Sequence, residues 1–194
     1  MVNSSTFSDV SELSLYCEML AKLVDQKSWG RITRADLILG APQEVLSYMK
    51  SGEFKNAVWF SLISRAERPL MGLEARLEKN VTPHDILFEG IITFLDGLVV
   101  YKGLLKRVYD ENPLHFLGRT VLARLEDTMQ IVLEKATVGT GSLKGILRLK
   151  AFNLIFLNIF TLWIQDATPD QSKTLAALNI RLAQAEELAG YLGV

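Results

Sequence analysis

Residues 82–101 read TPHDILFEGIITFLDGLVVY, and the class of fold turns on them. Thr82 is a side-chain N-cap. Pro83 takes the first helical position, where its missing N–H would have no partner in any case, and Asp85 puts an acid in the first turn. Behind that start, Phe88, Ile91, Phe94, Leu95 and Leu98 recur at helical spacing. The pattern predicts a helix from Pro83 to Tyr109. The same start recurs at Asn112-Pro113 and at Thr168-Pro169-Asp170-Gln171, where Gln171 follows Thr168 by three as in a capping box.

Apolar spacing extends the reading along the chain. Leu13, Cys17, Leu20 and Val24 lie on one helical stripe, as do Leu70, Leu73 and Leu77. Val121, Leu125, Met129 and Val132 form a later stripe, and Leu175, Leu178, Leu182 and Ala185 the last. The predicted helices are about 8–27, 34–39, 43–49, 53–64, 69–79, 83–109, 113–137, 143–165 and 169–190. Gly139-Thr140-Gly141-Ser142 is the clearest loop, with Ser142 able to cap the helix that follows. The chain reads as all-α.

Its 194 residues suit one domain, or a small one joined to a larger. Apolar residues make up 49% and charged residues 22%, enough for a packed core and too apolar for a disordered chain. With 21 basic and 22 acidic side chains the net charge is −1, which excludes a basic coat over the whole molecule but not a local cationic patch. A single cysteine, Cys17, excludes an intrachain disulfide framework or a cysteine metal cage. The polar N-terminus lacks the features of a signal peptide. The most apolar run, Ala151–Ile164, falls short of the about 20 residues of a bilayer span and is interrupted by Asn153, Asn158 and Thr161. A cytoplasmic protein without a transmembrane segment is the expectation.

From Ala151 onward the helix 143–165 is apolar nearly all round, so it needs cover on every side. A second copy supplies that economically. Two terminal helices from each of two chains would form a four-helix interface through Ile155, Ile159, Leu162, Trp163, Leu175, Leu178 and Leu182. The competing arrangement is a central helix of a monomeric bundle.

One long helix, a tight turn and two short helices outline a helix-turn-helix head. Leu23-Val24, Lys27-Ser28-Trp29-Gly30, Ile32-Thr33, Asp36-Leu37 and Gly40-Ala41 resemble the head of the TetR family of bacterial transcription regulators. Near the other end, residues 145–150, 163–170 and 174–178 resemble one TetR subgroup, and also the accessory lipid-binding proteins of ubiquinone biosynthesis, which share that fold. The resemblance implies a TetR-like, all-α fold, with a DNA-binding head at 1–50 and a ligand-binding, dimerising body at 51–194. It implies operator DNA as a partner of the homodimer. Arg31, Thr33, Arg34, Gln43, Ser47, Tyr48, Lys50 and Lys55 are the candidate DNA contacts, with Thr33 capping the second helix and Lys55 in the place of a phosphate-binding lysine. The alternative it implies is a lipid holder that no longer reads DNA.

The second short helix departs from the family pattern. It reads Pro42-Gln43-Glu44-Val45-Leu46-Ser47-Tyr48-Met49-Lys50, without the usual Gly-Thr pair and with Lys50 as its only cation. Residues 1–60 carry six cations and seven acids, a balance of −1. Phosphate neutralisation supplies most non-specific DNA affinity, so the head depends on clustering Arg31, Arg34 and Lys50 on one face.

Catalytic chemistry is thin. Glu186-Glu187 and Asp110-Glu111 are adjacent and diverge on a helix. Gly139-Thr140-Gly141-Ser142 lacks a P-loop lysine, and Ser142 has no neighbouring histidine. Neither an enzyme nor a cofactor is expected, and His84 and His115 are too far apart in sequence to suggest a metal site. A hydrophobic effector or lipid is expected instead, along walls made by Phe88, Ile91, Phe94, Leu98, Tyr101, Phe116, Val121 and Met129. Gly90, Gly97 and Gly103 are expected to leave room between helices.

Overall fold

The structure is a computed structural model and describes residues 19–33, 35–36, 54–73, 81–111 and 118–192. Most of the predicted helices 8–27 and 34–39, and all of 43–49, lie outside these. Among the described residues there is no strand. Residues 19–26 are helical and lead to a 3₁₀ turn at Trp29–Arg31. Six longer helices follow among the described residues: α1 (Phe54–Glu67), α2 (Pro83–Leu98), α3 (Lys102–Glu111), α4 (Arg119–Lys135), α5 (Leu143–Gln165) and α6 (Ser172–Leu192). The chain divides into two compact units, one of Met1–Leu62 with Val100–Val121, the other of Ile63–Val99 with Leu122–Val194.

α2 starts as its sequence dictates. Thr82 Oγ1 accepts from the Asp85 N–H (3.2 Å) while Asp85 Oδ2 accepts from the Thr82 N–H (2.9 Å), so two orphan amides of the first turn are satisfied reciprocally. Ser142 caps α5 by accepting from the Gly145 N–H at 3.0 Å. Gly145 is required there: a Cβ would lie 2.5 Å from the Thr140 carbonyl carbon.

Two expectations are corrected. The helix foreseen from Pro83 to Tyr109 ends at Leu98, turns through a 3₁₀ segment at Val99–Tyr101 and resumes as α3. Val99 and Val100 are adjacent, β-branched and exposed, Val100 to 77%. They lose side-chain freedom in an α-helix without burying apolar surface in return, while the tighter turn delivers Tyr101 to the interior. The glycines of α2 also leave no gap. A Cβ on Gly90 would stand 2.6 Å from Val132 Cγ1, and one on Gly97 would stand 2.7 Å from Ala66 Cα. They let α4 and α1 approach closely, and this contact holds the Asp96-Gly97 pair, a common hairpin dipeptide, in a helix.

The second of these units is built on α5. Phe156 meets Phe94 of α2 edge to face (5.5 Å) and stacks on Phe160 (5.7 Å), which in turn stacks on Trp163 (5.8 Å). By length and composition alone α5 is apolar enough to cross a membrane. The helix nevertheless spends Phe152, Phe156, Ile159, Phe160, Trp163 and Ile164 on contacts within the unit. Glu67 is buried nearby and accepts from the Arg124 guanidinium and from Thr128 Oγ1 (2.5 Å).

The start of α6 is the third correction. Thr168 does not cap it. Its N–H (3.0 Å) and hydroxyl (2.5 Å) donate to Asp166 Oδ1, while the Thr174 N–H (2.9 Å) and hydroxyl (2.7 Å) donate to Asp166 Oδ2. Gln171 takes a left-handed φ of 55°, and α6 begins only at Ser172, whose N–H donates to Asp170 Oδ1 at 3.1 Å. Burial pushes the Asp166 carboxyl up, but the four donors from Thr168 and Thr174 outweigh it and hold the group well below the usual carboxylate range. A folded-state pKa below the unfolded one gives stability that is present above about pH 4 and lost as pH falls through the folded value. Asp166→Asn is therefore expected to flatten the acid limb of the stability curve below about pH 4, read by chemical denaturation at stepped pH. An unchanged acid limb would contradict the assignment.

Candidate functional site

The turn of the first unit is held by charged groups from distant parts of the chain. The Trp29 N–H donates to Glu111 Oε2 of α3 at 2.6 Å. Lys55 Nζ of α1 donates to the Trp29 carbonyl at 2.6 Å, reaches the Gly30 carbonyl at 3.5 Å, and lies 5.2 Å from the Trp29 ring centroid. Both polar ends of one residue are thus gripped by opposite charges. One turn earlier on α3, Arg107 pairs with Asp25. Burial lowers the Lys55 pKa, partly opposed by the Glu111 charge.

Thr33 and Asp36 are joined reciprocally. The Thr33 N–H and hydroxyl each donate to Asp36 Oδ2 at 2.7 Å, and the Asp36 N–H returns to Thr33 Oγ1 at 3.4 Å. Lys27 Nζ spans both Asp36 oxygens at 2.8 and 2.7 Å. Donors from Lys27 first, then Thr33, hold the Asp36 carboxyl well below its ordinary range, so an anion already occupies this helix start.

Of the predicted DNA contacts, Arg31 and Thr33 are exposed. Arg34, Gln43, Ser47, Tyr48 and Lys50 lie outside the described residues. Lys55 is partly buried, with its ammonium on the Trp29 and Gly30 carbonyls and beside the Trp29 ring.

The expected ligand wall is divided. Ile91, Phe94, Leu98 and Met129 are buried in the core of the second unit, with Phe88 half-buried. Tyr101 and Val121 are buried but belong to the other unit, and Phe116 lies outside the described residues. The second unit also carries an open groove of about 330 Å³ between α4 and α5, lined by Leu122, Leu125, Asn153, Leu154 and Leu157 with the Lys150–Glu126 ion pair among its walls (2.7 Å).

Of the interface candidates, Ile159, Trp163, Leu178 and Leu182 are buried within the single chain. Ile155, Leu162 and Leu175 are half-buried. The apolar side chains facing water on these helices are others: Leu154 (69% exposed), Ile180 (54%) and Leu188 (57%), with Ile146 and Leu147. Sequence spacing could not separate the two sets, because α5 is apolar on both sides. Glu111 and Arg107 were also missed, since neither stands in a motif. Among the described residues, no three His, Cys, Asp or Glu side chains gather at a metal-sized site.

No protein-family profile matches the chain, and no curated protein matches it. The crystal structure of the TetR transcriptional regulator from Nitrosomonas europaea superposes with a TM-score of 0.63 at 18% identity, over 90% of this chain and 97% of that one. The ubiquinone-accessory likeness has no counterpart in these comparisons. An identity this low speaks for architecture alone: this all-α chain has the TetR fold.

Proposed function

We propose that the protein is a cytoplasmic transcriptional regulator that binds operator DNA as a homodimer and responds to a small hydrophobic ligand. The observation that carries this reading is the fold likeness, along nearly the whole of both chains, to a TetR transcriptional regulator. In this reading residues 1–50 form the head and 51–194 the body. Arg31, Arg34 and Lys50 supply the phosphate contacts, Gln43, Ser47 and Tyr48 face the bases, and Thr33 sets the start of the second head helix. The effector binds the body preferentially in one conformation and so shifts the head away from its operator-binding state. A gel shift against the region upstream of the protein's own gene tests this. Binding that weakens steeply with salt supports it, and no binding even at low salt overturns it.

The pairing surface in this proposal is the outward face of α5 and α6, where Leu154, Ile180 and Leu188 stand in water in the single chain. Leu154→Glu is expected to turn a dimer into a monomer in sedimentation velocity at micromolar concentration, with the helical circular dichroism unchanged. A wild-type chain that sediments as a monomer would remove the homodimer.

A second reading is favoured by one feature of the head. Lys55 and the Thr33 hydroxyl are both engaged within the chain, and Asp36 already neutralises the helix start. A TetR-fold body that holds a lipid and has ceased to read DNA is consistent with that arrangement. Native mass spectrometry showing a co-purified lipid, together with no DNA affinity, would favour it over the regulator.

A further inference from the structure

The Trp29 turn is secured more tightly than a surface turn requires. Its N–H goes to a carboxylate from 82 residues downstream and its C=O to an ammonium from 26 residues downstream. The two charges come from different helices, α3 and α1, yet meet at one peptide-bearing residue. Asp25–Arg107 repeats the grip four residues earlier on both partners, so the contact between α3 and this segment runs for a full helical turn. Lys55 is partly desolvated in this arrangement, with the Trp29 and Gly30 carbonyl oxygens and the Trp29 ring beside its ammonium. A cation held this way is a poor surface ligand as long as it stays there, but a strong anion binder once it swings out.

We infer that Lys55 is a latched cation: the Trp29 carbonyl, the Trp29 ring and the Glu111 charge hold it inside the first unit, and a nucleic-acid phosphate competes for it when the head meets DNA. The inference rests on the DNA-binding reading above and adds an autoinhibitory contact to it. Two things follow. The resting head binds DNA with one phosphate contact fewer than its sequence suggests. Glu111 sets the strength of the latch without touching DNA itself, because it fixes the turn to which Lys55 is bound and adds an attractive charge beside it. Glu111 is therefore a positioning residue.

The test is a double-mutant cycle on binding to a short random-sequence DNA duplex, measured by fluorescence anisotropy from low to moderate salt. Glu111→Gln loosens the latch. It is expected to steepen the slope of log affinity against log salt by about 0.9, equivalent to roughly a threefold larger loss between 50 and 200 mM salt. In a Lys55→Met background the same substitution is expected to leave the slope unchanged. A general gain from removing one negative charge would appear equally in both backgrounds and would overturn the latch. A second readout needs no DNA-affinity measurement: with 5-fluorotryptophan incorporated, the Trp29 fluorine resonance, assigned by Trp29→Phe, is expected to hold its position when DNA is added to the wild type and to shift when DNA is added to Glu111→Gln. Glu111→Gln should move it part of the way without DNA. DNA binding with an unchanged slope in Glu111→Gln removes the latch and leaves the regulator. The absence of binding by every variant at low salt removes both.

Discussion

Replacing Glu67 by alanine is expected to destabilise the unit of Ile63–Val99 and Leu122–Val194 by about 3 kcal/mol, the lower end of what breaking a buried ion pair costs. The lower end applies because Glu67 is buried while Arg124 keeps about a third of its side chain in water. Glu67 accepts from the Arg124 guanidinium through one oxygen and from the Thr128 hydroxyl (2.5 Å) through the other. Truncation leaves Arg124 without its carboxylate, and the fully buried Thr128 hydroxyl falls back on the Arg124 carbonyl at 3.0 Å. At about 2–4 °C per kcal/mol for a chain of this size, the thermal midpoint should fall by roughly 6–12 °C. In an Arg124→Ala background the same truncation should cost markedly less, because the charge it strands is already gone. A midpoint within about a degree of wild type would show that the network is not formed.

Trp163→Ala is expected to cost about 3–5 kcal/mol, the range for emptying a large aromatic site in a core. Trp163 is fully buried, stacks on Phe160, and its indole N–H donates to Gln171 Oε1 at 2.7 Å. The loss should be the same at low and high protein concentration, because the residue is interior to one chain. The sequence alone had assigned Trp163 to the subunit interface. A destabilisation that fades as concentration rises would restore that assignment. Leu154→Glu is the counterpart, expected to change the association state while the fold of each chain persists.

The helices were legible where a local signal was complete. Thr82-Pro83-His84-Asp85 contains both halves of a capping box, and Ser142 before Leu143 marks the observed start of α5. Legibility failed where tertiary contacts decided the outcome. Thr168-Pro169-Asp170-Gln171 carries nearly the same letters as Thr82-Pro83-His84-Asp85, but Asp166, two residues upstream, captures Thr168 and Thr174 and moves the helix start to Ser172. No local pattern announces a carboxylate that collects four donors from across a turn. Gly90 and Gly97 read as gaps because composition cannot show what stands opposite them; Val132 and Ala66 do.

The candidate site was legible to a similar degree. Thr33 was recognisable as a cap because its partner Asp36 is three residues away. Lys55 was recognisable as a head cation, but its engagement depends on Trp29 and Glu111, 26 residues upstream and 56 downstream in sequence. The apolar stripe of α5 was plain, yet with Leu154 and Phe156 two residues apart on opposite sides, spacing could not say which side is core and which faces water.

The central claim is that two copies of this chain present their heads to one DNA duplex. Sedimentation equilibrium of the protein with a duplex from the region upstream of its own gene, at low salt, measures that directly. A complex mass of two chains per duplex, dissociating as salt is raised, is the predicted result. A single chain on the duplex, or free protein and free DNA at every salt concentration, would contradict it.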